Sequence, residues 1–260
     1  MKRLLALLLV LLACVPARAD EVVDLPTRPG VQVRLLVLRP QADAQGVVVL
    51  LAGGAGHVGI FPNASLEHAG NFLVRSRQAF ATDGLVAVVM DSPSDMPELR
   101  GTFRDSAEHA ADLGAVVAWA HRTFGKPVWL VGTSRGTHSA AAGAVQLRGD
   151  QAPDGLVLTS TILVPNPPRN PNARPVQQWS LEQLRIPVLV QHHAQDGCQF
   201  TPPGRLPELM AKLPPATSKL ITYTGGATRG PECEAFAHHG FNGIEAQVVD
   251  DMAAFIGGRR

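Results

Sequence analysis

The sequence lacks most of the features that tie a chain to a macromolecular partner or a prosthetic group. It holds no block of Lys and Arg and no alternation of basic with aromatic residues, so nucleic acid is not an expected partner. Its longest apolar run, residues 4–13, is about half of the roughly 20 residues that cross a bilayer. No second run of that kind follows, so no stable membrane insertion is expected. Cysteine is scarce: three residues, Cys14, Cys198 and Cys233, with no Cys-x-x-Cys and no His-Glu-x-x-His spacing anywhere. A metal is therefore not expected. Walker and dinucleotide-type glycine loops are absent too, and with them the usual reason to expect a nucleotide cofactor. There is no internal repeat and no long low-complexity tract.

Residues 1–19 read as a signal peptide. Lys2 and Arg3 form a positive n-region, residues 4–13 an apolar core, and Ala17-Arg18-Ala19 a small-x-small cleavage site. Export to the periplasm or beyond follows, with Asp20 as the first mature residue. The alternative takes Leu11-Leu12-Ala13-Cys14 as a lipoprotein box with Cys14 retained as an anchor, although Leu12 fits that pattern poorly. Taking Lys2, Arg3 and Arg18 from the 23 basic residues leaves 20 against 22 acidic ones, a net charge of about −2. A mature chain over residues 20–260 suits one α/β domain.

What is present centres on residues 128–136, Val-Trp-Leu-Val-Gly-Thr-Ser-Arg-Gly. The apolar run reads as a buried strand. It enters Gly132-x-Ser134-x-Gly136 and then a small-residue helix over residues 137–144. Glycines on both sides of Ser134 remove Cβ atoms that would clash in so sharp a turn, leaving the hydroxyl exposed at its tip. A plain helix-capping serine is the bland alternative. The stretch resembles the nucleophile elbow of the α/β-hydrolase family.

The rest of the chain can be compared with that family. Residues 21–25 and 31–38 read as an opening β-hairpin. Residues 46–51 form a continuous apolar strand ending in Ala52-Gly53-Gly54-Ala55-Gly56-His57. At this position the family carries a glycine-rich loop that donates one oxyanion-hole amide, so the resemblance assigns Gly54, with the Arg135 amide as the second donor. Ala52 stands where the family often has His. A helix over 71–82, a strand over 85–90 and a long helix over 103–124 precede the elbow strand. A strand at 155–159, a proline-rich loop at 164–179, a strand at 186–190, a helix at 206–213, a strand at 219–223 and a closing helix near 244–256 follow. The resemblance thus implies an α/β class fold: the α/β-hydrolase fold, an eight-stranded mostly parallel sheet with helices on both faces. It adds an N-terminal antiparallel hairpin, both strands set against the others, and a minimal lid.

A serine hydroxyl needs a base, and the base needs an acceptor that fixes its tautomer. The family order of Ser, acid and His is met by Ser134, Asp196 and His239. Asp196 follows a buried strand, and His239-Gly240-Phe241 is similar to the His-Gly-Phe run of dienelactone-hydrolase-like members. Asp91, which also ends a strand, is the substitute acid, and His238 the substitute base; His57 has no assigned role. Loss of Cys14 with the leader leaves an even pair in an exported chain, so a Cys198–Cys233 disulfide is expected, tying the acid loop to the base loop. The implied activity is that of a serine hydrolase cleaving a small ester-like acyl substrate through an acyl-enzyme, without a cofactor. A peptidase or amidase on the same fold and a non-catalytic binding protein are the competing readings. Nothing in the sequence fixes the oligomeric state.

Overall fold

The computed structural model describes residues 20–100, 102–165 and 174–258. The leader expected at 1–19, and Cys14 with it, lies outside the described residues. Eight strands make one sheet: β1 (Glu21–Arg28), β2 (Val31–Leu38), β3 (Gly46–Leu51), β4 (Leu85–Pro93), β5 (Val128–Thr133), β6 (Gly155–Thr159), β7 (Val188–His193) and β8 (Ser218–Tyr223). Their spatial order is β1-β2-β4-β3-β5-β6-β7-β8. The helices are α1 (Phe72–Arg75), α2 (Arg77–Thr82), α3 (Ala107–Phe124), α4 (Gly136–Gln146), α5 (Leu206–Met210) and α6 (Glu245–Ile256).

The continuous apolar strands are explained by burial on both faces, since alternate side chains of a strand point to opposite sides. Val47, Val49 and Leu51 of β3 join the core under α3, α4 and α5. Val48 and Leu50 join the core under α1, α2 and α6. β5 divides the same way, with Val128 and Leu130 on one side and Trp129 and Val131 on the other.

The expected eight strands and two helical layers agree with this architecture, with corrections to strand direction and element bounds, among them a helix expected over 206–213 that ends at Met210 and a strand expected at 186–190 that runs over Val188–His193. Only β2 runs against the sheet. β1 is antiparallel to β2 and β2 to β4, so β1 points the same way as the parallel strands. A two-residue link, Pro29-Gly30, reverses the chain once, and pairing with β4 makes β2 the inverted strand. The helix expected over 71–82 is broken at Ser76 into α1 and α2. The helix expected from residue 103 opens as a 3-10 turn, and α3 starts after Ser106, whose hydroxyl caps the His109 amide at 3.1 Å.

The chain goes from β3 outward to β4, then crosses back to β5 on the other side of β3. This is the reversal at which open α/β sheets form ligand crevices beyond their carboxyl ends. The loops leaving β3, β5, β6 and β7 meet there. Of the proline-rich stretch at 164–179, Val164 and Pro165 border the crevice, and residues 166–173 fall outside the described residues.

Candidate active site

Ser134 sits at φ +51, in the left-handed region that a non-glycine residue enters only under constraint. The constraint comes from close packing. A Cβ on Gly136 would lie 2.1 Å from Leu51 O, and one on Gly132 would lie 2.5 Å from Gly136 O. The turn thus lets α4 start hard against the end of β3, and glycine is the residue type that permits it. Thr137 closes it from the helix side, its amide and hydroxyl donating to Ser134 O at 2.9 and 2.6 Å.

Ser134 opens into a cavity of about 880 Å³ that Gly53, Gly54, Arg135 and His239 also line. The glycine loop is held from behind by Arg104. Its guanidinium is buried and donates to Ala52 O at 3.2 Å, Gly54 O at 3.4 Å and Ser139 Oγ at 2.8 Å. Burial, and next the charge of Arg135, pull Arg104 down to about 9, so it is still a cation at neutral pH. Ser139 Oγ lies 2.8 Å from His109 Nε2. His109 and His138 beside this cation are held down to about 3, by burial first and the neighbouring arginines second. Both rings are neutral. The Arg135 side chain, half-buried, donates to Leu99 O at 3.3 Å.

His239 and Asp196 come together from the two far loops. His239 Nδ1 lies 3.0 Å from Asp196 Oδ2 and 3.2 Å from Thr201 Oγ1. The Thr201 hydroxyl donates to Asp196 Oδ2 at 2.8 Å, and the Cys198 amide donates to Asp196 Oδ1 at 3.0 Å. Thr201 has spent its one proton on the carboxylate, so toward His239 it offers only a lone pair. Nδ1 must carry the ring proton, which leaves Nε2 as the basic nitrogen. Burial raises the Asp196 carboxyl, but the hydrogen bond and charge of His239, with the Cys198 amide and His192, outweigh it and hold the group below its ordinary value. His239 Nε2 is buried with no hydrogen-bond partner among the described residues.

His239-Gly240-Phe241 has a packing explanation of its own. A Cβ on Gly240 would strike Ala235 O at 1.9 Å. Phe241, at φ +57, is fully buried between Phe72 and Tyr223, with ring centroids 4.9 and 5.8 Å away. Ser160 Oγ donates to His239 O at 2.6 Å and ties this loop to the end of β6.

The alternative residues are placed elsewhere. The Asp91 carboxylate accepts from the Val58, Ile60 and Ser92 amides at 2.8, 2.9 and 2.8 Å, so it anchors the loop after β3. The His238 ring stacks on His193, centroids 4.2 Å apart and planes 3° from parallel. His57, which had no assigned role, is on the cavity rim. Cys198 and Cys233 are joined by a disulfide. Thr201, Arg104 and Ser139 were invisible to sequence reasoning: each is a common residue type whose partners are distant in the chain. Only the five-residue separation of Thr201 from Asp196, within one loop, was a usable signal.

No family model matches the chain, and no curated protein matches it by sequence. Solved structures do. Esterase 2 of Thermogutta terrifontis superposes with a TM-score of 0.62 at 18% identity, covering 92% of each chain. Est1E of Butyrivibrio proteoclasticus gives 0.61 at 14% identity over 92% of this chain and 98% of its own. A lidless α/β serine hydrolase of Xanthomonas campestris gives 0.59 at 14% identity, over 93% and 94%. The chain has the α/β-hydrolase fold.

Proposed function

We propose that this α/β-hydrolase-fold chain is an exported serine hydrolase that cleaves small ester substrates through an acyl-enzyme. The observation that carries the reading is His239: one tautomer is enforced by Asp196 and Thr201, and the free Nε2 belongs to the same cavity as the strained Ser134. Ser134 Oγ gives its proton to His239 Nε2 and attacks the acyl carbon. The resulting oxyanion takes hydrogen bonds from the Gly54 and Arg135 amides, each worth about 3 to 4 kcal/mol in comparable sites. The intermediate collapses as His239 returns the proton to the leaving alcohol, and water then hydrolyses the acyl-enzyme by the same relay. No hydrogen bond joins Ser134 Oγ to His239 Nε2 in the structure; such bonds are often long without substrate and tighten when it binds. These steps call on no cofactor.

Export is supported by the disulfide, which persists in oxidising compartments. The described helices include none long and apolar enough to cross a membrane. The Thermogutta enzyme is an esterase that has been captured phosphonylated by sarin and phosphoramylated by tabun. A fluorophosphonate probe is therefore expected to label this protein once, at Ser134, in peptide mass mapping. Ser134→Ala should abolish both labelling and turnover of short acyl esters. Labelling that survives the substitution refutes the nucleophile. Turnover of aminoacyl amides in preference to esters would move the substrate class to peptides, and an unlabelled native protein would make the fold a binding scaffold.

A further inference from the structure

Between β3 and α1 lies a second small hairpin that the proposed hydrolysis does not use. Glu67 N donates to Gly59 O at 3.0 Å, His68 N donates to Val58 O at 2.9 Å, and Ile60 and Leu66 form an antiparallel bridge. The loop closes tightly because Gly59 is glycine: it sits at φ +67, and a Cβ there would lie 2.5 Å from Glu67 Cβ. The Asp91 carboxylate fixes the first limb through the Val58 and Ile60 amides. The fold thereby sets His57, Glu67 and His68 side by side on the rim of the Ser134 cavity, with one potential ligand atom of each within 4.8 Å of the others. His57 Nε2 is 3.5 Å from Glu67 Oε2, and His68 Nε2 is 3.7 Å from Glu67 Oε1.

From this cluster we infer a site for a divalent transition metal of the zinc type, held by His57 Nε2, the Glu67 carboxylate and His68 Nε2. Two imidazoles and a carboxylate are a donor set suited to Zn²⁺ and its neighbours. Bonds of about 2.0–2.1 Å at tetrahedral angles place neighbouring ligand atoms about 3.3 Å apart. The two His–Glu67 separations approach that spacing, the three ligand atoms together span up to 4.8 Å, and Glu67 and His68 are exposed side chains free to close the remainder.

A second observation comes from the other edge of the His57 ring. Nδ1 lies 3.3 Å from Asp91 Oδ1 and 3.2 Å from Ser92 Oγ. Ser92 donates its proton to Pro97 O at 2.7 Å, so both groups present lone pairs to the ring, and Nδ1 must be the protonated nitrogen. In a neutral ring Nε2 then points its lone pair at the Glu67 carboxylate. Two acceptors facing each other repel, and a cation between them turns both into ligands. Asp91 behind His57 is the carboxylate–histidine outer partner that metal sites use to fix tautomer and ring orientation. The rival occupant is a proton on Nε2, which would bridge the two carboxylates as an imidazolium. A metal ion bound here leaves its remaining coordination positions to water and to the cavity.

The test is titration of untagged, disulfide-intact protein with Co²⁺ followed by Zn²⁺. One equivalent of Co²⁺ should give visible ligand-field bands, and one equivalent of Zn²⁺ should remove them, with a Kd of about micromolar. Glu67→Gln and His68→Gln, at exposed positions that do not endanger folding, should each weaken binding at least about tenfold. Asp91→Asn should weaken it about 10–100-fold as an outer partner. Ser134→Ala should bind as the native protein does, so the result does not depend on hydrolysis. Absence of saturable binding up to about 0.1 mM, the result expected of the proton-bridged rival, overturns the site. So does an affinity that Glu67→Gln and His68→Gln leave unchanged, which would put the ion on other histidines.

Discussion

At the scale of single residues, Asp91, near the end of β4, and Asp196, just past β7, do different work. Asp196 accepts from His239, Thr201 and the Cys198 amide, whereas Asp91 accepts from loop amides. Asp196→Asn is expected to lower kcat about 10⁴-fold, because an amide at that position favours the wrong imidazole tautomer. Asp91→Asn should cost far less, and comparable losses in steady-state kinetics would return Asp91 to the acid role. The neutral histidines behind the glycine loop make a pH prediction. Folding holds His109 near 3 against about 6.5 when unfolded, so the unfolded state takes up the proton first as pH falls. The stabilisation is complete above about pH 6.5 and is lost progressively as pH falls toward 3. Between pH 7.5 and 5 it amounts to about 2 kcal/mol. His109→Gln removes that proton uptake while keeping a hydrogen-bonding group beside Ser139. Urea unfolding at the two pH values should show a smaller acid loss in the variant, and equal losses would contradict the assignment. The candidate residues Ser134, Asp196 and His239 could be singled out at this scale because each follows an apolar strand or precedes a glycine that packing demands. Thr201 and Arg104 were not, because their roles exist only after distant loops meet.

At the scale of elements, the elbow depends on how closely α4 approaches β3. Gly136→Ala would push a methyl into Leu51 O, 2.1 Å from the ideal Cβ position. The expected cost is about 3 kcal/mol or more, a fall in Tm of roughly 5–10 °C for a chain of this length. Gly204→Ala is the control: nothing lies within 4 Å of its Cβ position and its φ is not positive. Equal Tm values for the two variants in thermal unfolding would show that the elbow relaxes freely. The inner strands β3, β5 and β6 were readable in the sequence because a strand covered on both faces is apolar almost without interruption. β7 is the informative exception. It continues through Gln191, His192 and His193, all buried, where the sequence suggested a loop. Those polar side chains are tolerated in the sheet because each finds a partner: Gln191 donates to Tyr223 Oη and Val248 O, His192 to Thr201 O and His193 to Gly225 O. Hydropathy cannot register such compensation. The break at Ser76 was equally hidden: beside it the Arg75 side chain binds Gly70 O, Gly240 O and Glu245, partners that are distant in the chain or on the backbone.

At the scale of the whole molecule, His239, the proposed base, is the least anchored member of the candidate site. Asp196 follows directly from β7, but His239 rides on the stretch between β8 and α6, where Gly225, Gly226, Gly230 and Gly243 all have positive φ. One 3-10 turn, His238–Gly240, is its only regular element. The Cys198–Cys233 bond fastens that stretch to the acid loop, two residues after Asp196 and six before His239. Closing a loop of 35 residues is worth roughly 4 kcal/mol in the chain-entropy treatment. Cys233 is exposed while Cys198 is buried, so a small thiol can reach one sulfur of the native protein. Reduction should therefore leave the sheet in place and loosen the site. The expected outcome is an unchanged far-UV circular dichroism spectrum at 25 °C, with Tm lower by about 10 °C and a reduced kcat. A Cys198→Ser, Cys233→Ser double variant should reproduce both losses without reductant, which separates the missing bond from side effects of the thiol. Retention of native Tm and kcat by the double variant would mean that packing of Phe241 and the Ser160 contact alone hold His239 against Asp196.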